Sequence, residues 1–320
     1  MKQICILIPT YNEKEVLPYL YERLQRISNQ LTNYDFSFLL INDGSTDGTL
    51  ETINSLRQQD SRIELVNLSR NYGKEIAMMA GFDYAHGDAV IILDADLQDP
   101  PELISQMLEY WEGGYEDVYA KRSSREGETW LKKWTSKKYY KVLQKMATID
   151  IPKDTGDFRL LDYKCIEALR TMRESQRYTK GLFSFIGFRK KEILFERESR
   201  VAGTTKWNYR KLVGLAADGI TSFSIAPLRL ATILGFSILT LGMVLLLVFL
   251  LKEFVFEMNV SGITGIVSVM MLLSGIQLLS IGLLGEYIGR MFIETKNRPL
   301  YFVSSEHRGI VRPEKSKRIG

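Results

Sequence analysis

The first part of the chain alternates short apolar runs with stretches of helical spacing. Ile4–Ile8 is apolar but for Cys5, and Glu13–Ile27 then places apolar residues at helical intervals. Phe36–Ile41 is a second run. It is closed by the turn cluster Asn42-Asp43-Gly44-Ser45, and Thr46 or Asp47 is placed to cap a helix over Thr49–Gln58. Ile63–Leu68, a helix over Lys74–Ala85 and the run Ala89–Leu93 continue the alternation. Pro100–Glu112 reads as a helix opened by prolines in its first turn. Strands separated by helices of this length predict right-handed βαβ units and a parallel sheet. Such sheets bind ligands at the carboxyl ends of their strands. Polar clusters fall at those ends: Thr10–Glu13, Asn42–Ser45 and Asp94–Gln98.

The pattern changes after residue 226. Leu228–Leu251 carries a single charge, Arg229 at its edge, and Ile263–Leu284 carries none. As a helix the first run is ~36 Å long at ~1.5 Å per residue, enough for a ~30 Å hydrocarbon core. Arg200, Lys206, Arg210, Lys211 and Arg229 precede the first run, and Arg290, Lys296 and Arg298 follow the second. The connector Lys252–Gly262 has only Lys252 as a cation. With no signal peptide at the N-terminus, this asymmetry predicts a two-span membrane protein with both termini and the N-terminal domain in the cytosol.

Composition adds exclusions. At 320 residues, 45% hydrophobic and 25% charged, the chain has room for two domains and is not disordered. Cys5 and Cys165 are its only cysteines, which excludes a disulfide scaffold and a thiolate zinc site and fits a reducing compartment. No glycines stand in G-x-G spacing, and Gly73-Lys74 lacks the upstream glycine of a P-loop. Dinucleotide-dependent hydride transfer and the common NTPases are thereby disfavoured. What remains is Asp94-Ala95-Asp96-Leu97-Gln98, directly after an apolar strand. A bare D-x-D is more often a solvated acidic loop. Here its place on a nucleotide-type sheet points to oxygen ligands for Mg²⁺ or Mn²⁺.

Four motifs in order then resemble a known family: Ile8-Pro9-Thr10-Tyr11-Asn12-Glu13, Asn42-Asp43-Gly44-Ser45-Thr46-Asp47-Gly48-Thr49, Asn71-Tyr72-Gly73-Lys74, and Asp94-Ala95-Asp96-Leu97-Gln98-Asp99-Pro100-Pro101. The chain is similar to the inverting glycosyltransferases of family 2, in the polyprenyl-phosphate branch typified by dolichol-phosphate mannose synthase. The two C-terminal apolar runs resemble the bacterial members of that branch. The resemblance implies an α/β, A-type (Rossmann-like) catalytic domain over residues 1–206. An interfacial segment over 207–227, two transmembrane helices over 228–288 and a cytosolic basic tail over 289–320 would follow. It further implies that Pro9, Tyr11, Glu13, Ile41 and Asp43 hold the nucleoside, and that Asp94, Ala95 and Asp96 hold the donor diphosphate and sugar. Asp96 and Gln98 would be the metal ligands. Arg122 would be a basic residue after the fifth strand, Arg200 and Lys206 a cationic pair closing over the diphosphate, and Asp157 the catalytic carboxylate. Asn42-Asp43 departs from the commoner Asp-Asp, with the second aspartate retained.

The implied reaction joins two anions, a lipid phosphate and a nucleoside diphosphate. Two pairs of charges ~5 Å apart repel by about 13 kcal/mol at an effective dielectric of ~20. A divalent metal with Arg122, Arg200 and Lys206 is the cation count such a site needs. The nucleophile already carries its charge, so no proton must be removed and the role of Asp157 stays open between base, orienting group and electrostatic stabiliser. Lys121–Lys145 holds nine Lys or Arg against Glu126 and Glu128, interleaved with Trp130, Trp134, Tyr139 and Tyr140. It reads as an interfacial basic helix, and Trp207–Phe223 as a second interfacial segment; a membrane rather than a nucleic acid is the expected partner. Gly285 and Gly289, in G-x-x-x-G spacing, and the mid-span Gln277 point to a homo-oligomer. The expected function is transfer of one sugar, glucose from UDP-glucose by first choice, to undecaprenyl phosphate at a bacterial cytoplasmic membrane. GDP-mannose or another nucleotide sugar is the alternative donor. A processive polysaccharide synthase, which would carry a Q-x-x-R-W motif absent here, and a non-catalytic nucleotide-sugar-binding scaffold rank below it.

Overall fold

A computed structural model describes residues 1–123, 155–175, 177–195 and 262–307. In chain order the elements are β1 (Lys2–Thr10), α1 (Leu17–Gln30), β2 (Tyr34–Asn42), α2 (Thr49–Gln59), β3 (Ile63–Leu68), α3 (Lys74–Tyr84) and β4 (Ala89–Ile92). A 3-10 turn (Pro101–Leu103) then runs into α4 (Ile104–Glu112). After it come β5 (Asp117–Arg122), β6 (Thr155–Asp162), α5 (Tyr163–Thr171), α6 (Thr179–Phe185), β7 (Lys190–Phe195), α7 (Gly262–Thr295) and β8 (Val303–His307). The expected alternation is present, with shifted ends. Val16 and Leu17 donate to the Glu13 carbonyl in a turn, and α1 begins only at Leu17, with Pro18 in its first turn. The paired prolines likewise delay α4 to Ile104.

The strands form one sheet of order β7-β5-β6-β4-β1-β2-β3-β8. β4, β1, β2 and β3 are parallel, as the sequence predicts. β6 runs antiparallel between β4 and β5, and β8 antiparallel to β3. β1 is apolar on both faces because both are covered, the usual state of a parallel strand in an α/β fold. Ile4, Ile6 and Ile8 pack with α1, α2 and α4, while Cys5 and Leu7 pack with α3, α5 and α6. Burial pushes the Cys5 thiol up to about 12, and Cys165 is raised for the same reason, so both cysteines act as small core hydrophobes.

The segment expected as a basic tail from residue 289 contains structure. α7 continues to Thr295, and Val303–His307 becomes the edge strand beside β3. Ser69 N–H donates to the Phe302 carbonyl at 2.9 Å, and the Tyr301 hydroxyl donates to Asp83 at 2.7 Å. Among the described residues no helix is long and apolar enough to cross a membrane. The run Leu228–Leu251 lies outside the described residues, as do many side chains of α7 between Ile263 and Leu284. The greater part of the basic segment, the whole of Trp207–Phe223 and Arg308–Gly320 also lie outside them.

α3 lies close on β1 because Gly81 faces Leu7: a Cβ there would stand 2.3 Å from the Leu7 side chain. Gly81→Ala is therefore expected to destabilise the fold by about 1–3 kcal/mol of overpacking, less the gain in helix propensity of up to ~1 kcal/mol. Urea unfolding followed by circular dichroism measures it; an unchanged or raised midpoint would show that α3 is not seated on Leu7.

Candidate active site

Two loops at the ends of β1 and β2 are tied together. Asp43 N–H donates to the Thr10 carbonyl at 2.9 Å. Asn12, at φ +56°, donates its N–H to Ser45 Oγ at 3.0 Å and accepts from Thr46 N–H at 2.9 Å. Glu13 N–H donates to Thr49 Oγ1 at 2.9 Å. The Tyr11 ring stays 36% exposed at the rim, Glu13 and Pro9 are half-buried, and Ile41 is wholly buried in the sheet, where it fixes the start of the second loop. The unusual Asn42 has a structural reason. Its Nδ2 donates to Asn67 Oδ1 on β3 at 2.8 Å while its Oδ1 accepts from Ser45 Oγ at 2.6 Å. An aspartate could not donate to Asn67.

Asp43, 3% exposed, spends both oxygens on the loop before α3, accepting from Tyr72 N–H at 2.7 Å and Gly73 N–H at 2.9 Å. Burial raises its pKa, and those two amides offset part of the rise. The loops approach so closely that a Cβ on Gly44, at φ +63°, would lie 2.4 Å from the Arg70 carbonyl carbon; only glycine fits.

Held in this way, the loop delivers Lys74 as the first residue of α3. Its Nζ lies 2.7 Å from Asp94 Oδ2 and 2.6 Å from Asp157 Oδ2. The two carboxylates meet because β4 and β6 are antiparallel with Ile92 opposite Arg159; two residues after Ile92 comes Asp94, and two residues before Arg159 stands Asp157. Asp157, with 12% of its side chain exposed, is opposed by burial, yet the charges of Lys74, Lys180 and Arg159 hold its carboxyl well below the usual range. Burial alone would lower Lys74, but the two aspartates outweigh it and raise the ammonium pKa. Its side chain keeps 43% exposure, so solvent screens part of this attraction.

The acidic loop is strained. Leu97 has φ +56° and is 2% exposed, a conformation that costs a non-glycine residue about 1–2 kcal/mol and is held here by burial. With Ala95 and Leu97 both buried, the half-exposed Asp96 and Gln98 flank the anchor, and Gln98 N–H donates to Asp96 Oδ1 at 3.2 Å. Gln98 Oε1 is buried and has no hydrogen-bond partner. Among the described residues no three His, Cys, Asp or Glu converge on a metal position. The chain thus offers one carboxylate and one orphaned amide oxygen. This hard donor set fits Mg²⁺ or Mn²⁺, which complete their shells with water and phosphate oxygens. Arg122 ends β5 with its Nε buried and unpartnered. Arg200 and Lys206 lie outside the described residues.

Sequence reasoning assigned no role to Lys74, Glu75 or Lys180. Glu75 is half-buried beside Asp157, and desolvation followed by that charge raises its pKa. It accepts from Thr179 N–H at 3.0 Å and from the Thr179 hydroxyl, tying α3 to α6. The only advance signal for Lys74 was its place at the end of the Asn71–Lys74 motif.

The sheet thus carries an acidic loop at the end of β4 with a lysine-held aspartate opposite it. The chain belongs to glycosyl transferase family 2, whose model matches residues 5–170; the model of the GtrB C-terminal hairpin matches residues 226–291. It is a glycosyltransferase. A glycosyltransferase of Synechocystis without assigned activity is 47% identical over 302 residues, 94% of this chain and 95% of that protein. A putative glycosyltransferase of Bacillus subtilis is 40% identical over 305 residues, 95% of this chain and 92% of that one. A prophage-derived bactoprenol glucosyl transferase of Shigella flexneri is 39% identical over 307 residues, 96% of this chain and 99% of that protein.

The lowered pKa of Asp157 sets its pH behaviour. In the folded state it releases its proton more readily than the ordinary value of ~3.9 in an unfolded chain. Its stabilising contribution is present above that value and is lost as pH falls through the folded one. Activity between about pH 5 and 9 should accordingly show no limb belonging to Asp157. Asp157→Asn should lower kcat while leaving the shape of the profile unchanged. A limb near neutrality that disappears in Asp157→Asn would instead make it a proton acceptor.

Proposed function

We propose that the protein transfers one sugar, glucose from UDP-glucose by first choice, to undecaprenyl or a related polyprenyl phosphate at the cytoplasmic face of a bacterial membrane. The observation that carries this reading is the ionised Asp157, held by Lys74 beside the Asp94–Gln98 loop. It stands in a chain 39% identical, along nearly its whole length, to a protein named as a bactoprenol glucosyl transferase. Inversion follows from in-line attack of the acceptor oxygen on the anomeric carbon, with departure of the nucleoside diphosphate. The acceptor phosphate is largely doubly ionised near neutrality, its second pKa being about 6, so no base is required. An Asp157 that stays charged suits such a reaction by orienting a sugar hydroxyl or stabilising positive charge at the anomeric carbon.

Asp96 and Gln98 are the residues that would hold Mg²⁺ or Mn²⁺, which supplies positive charge to the leaving diphosphate. Pro9, Tyr11, Glu13, Ile41 and Asp43 would hold the nucleoside, and Asp94, Ala95 and Asp96 the donor diphosphate and sugar. Arg122, Arg200 and Lys206 add the remaining cations. The apolar runs Leu228–Leu251 and Ile263–Leu284 serve as membrane spans, with both termini in the cytosol. Gly285 and Gly289, in G-x-x-x-G spacing near the end of α7, offer a close helix contact for a homo-oligomer.

The test is transfer of radiolabel from a panel of nucleotide sugars to undecaprenyl phosphate. The expected product is a single sugar on a lipid phosphate, best with UDP-glucose. A polymer, or no lipid product with any donor, would overturn the reading. Asp96→Ala should abolish transfer and Gln98→Ala weaken it, whereas full activity in excess chelator would remove the metal. Arg200→Ala and Lys206→Ala should each cost about 10²–10³ in kcat with little change in nucleotide affinity, because they act once a second phosphate is near.

A further inference from the structure

A groove of about 270 Å³ opens between the first turn of α3, the loop after α5 and the inner end of α7. Its walls are of two kinds. Ile76, Ile293 and Leu300 are apolar, while Lys296 and Arg298 bring two positive charges to the same opening. Ser175 lines it as well, and the nearby Glu294 carboxylate accepts from Ser175 N–H at 2.7 Å and from its hydroxyl at 3.4 Å. That bond ties the end of α7 to the catalytic domain and leaves the lining with a cationic bias. Lys296 is steadied over the Phe292 ring, its Nζ 4.0 Å from the centroid.

An apolar wall beside two cations suits the head of an amphiphilic anion. A nucleotide sugar has no apolar tail, and its motifs lie on the loops ending β1, β2 and β4. The groove also lies between the two places an acceptor must connect. On one side Ile76 follows Lys74 by two residues on α3, a rise of ~3 Å, and Lys74 touches Asp157. On the other side α7 contains the charge-free run Ile263–Leu284. Its volume is below the ~300–1,000 Å³ of a pocket that swallows a drug-sized molecule, so it takes the head of a long lipid and not the chain.

Building on the lipid-acceptor reading above, we propose that this groove seats the phosphate end of the polyprenyl phosphate. Lys296 and Arg298 pair with the phosphate, and Ile76, Ile293 and Leu300 hold the first isoprene units. The groove is a docking site for the incoming acceptor, whose phosphate moves on from Lys296 and Arg298 to Asp157 before its oxygen attacks.

The test uses the full-length protein in phosphatidylcholine vesicles containing undecaprenyl phosphate. The double variant Lys296→Glu, Arg298→Glu should raise the acceptor KM about tenfold or more while kcat at saturating lipid and the KM for donor stay near wild type. Lys296→Arg, which keeps the positive charge, should recover most of the acceptor affinity that Lys296→Glu loses, and a loss as large as that of the glutamate variant would count against a charge role. A diazirine-bearing prenyl phosphate should label wild-type peptides containing Ile76 or residues 293–300, which decides the matter if the double variant fails to fold. Absence of lipid product from the wild-type protein would sink the acceptor reading itself. A wild-type enzyme that makes lipid product, with an unchanged acceptor KM in a folded double variant or with label only elsewhere, would overturn the groove alone.

Discussion

Two carboxylates brought side by side at the rim of a sheet repel each other and each resists burial. Lys74 makes the arrangement of Asp94 and Asp157 tenable, with one ammonium within 2.7 Å of both. Much of the surrounding architecture serves to deliver that ammonium. Asp43 gives up both oxygens to the amides before α3, Gly44 allows the loops to touch, and Glu75 anchors the same helix to α6. Asp43, in the loop after β2, thus positions Lys74 through backbone geometry.

The return of the chain after α7 has a comparable consequence. β8 covers the edge of β3, which would otherwise present unpaired amides and carbonyls. Tyr301 and Arg173 both bond to Asp83 on α3, at 2.7 Å for each shortest contact. The catalytic sheet therefore does not end where the long apolar region begins, and a cut before that region removes one of its strands. The segment that follows α7 is tied through Tyr301 to Asp83, on the same helix that carries Lys74.

The parallel half of the sheet was legible because its signal is local: uniform apolar runs at β1, β2, β3 and β4 separated by helical spacing. The acidic loop was legible because it follows such a strand directly. β6 was not, since its sequence TGDFRLLD carries Asp157 and Arg159 within the strand, and Arg159 is buried only by pairing with Asp117 at 3.1 Å. Nor was β8, whose VSSEH has no apolar face and is a strand only because β3 offers an edge. The bridge of Lys74 depends on antiparallel register between segments distant in sequence, and no spacing rule reports that. Asp43 illustrates a different limit, because its partners are backbone amides, which every residue but proline possesses.

Charge arithmetic completes the argument about where the remaining cations must act. Within the described site Lys74 and Lys180 are set against Asp94 and Asp157, with Asp96 beside them, and Arg159 is engaged by Asp117. With Glu75 also beside Asp157, the described groups close to it hold no surplus of positive charge for the two phosphates of the proposed reaction. Their mutual repulsion, about 13 kcal/mol at ~5 Å, has to be met from outside this cluster. Under the function proposed above, the donor-side cations are a divalent ion at Asp96 and Gln98, Arg122, and Arg200 with Lys206, while Lys296 and Arg298 meet the acceptor phosphate as it arrives. Each substrate then binds with its own counter-charge, and the full repulsion arises only when both are at Asp157, where a side chain that stays charged is useful.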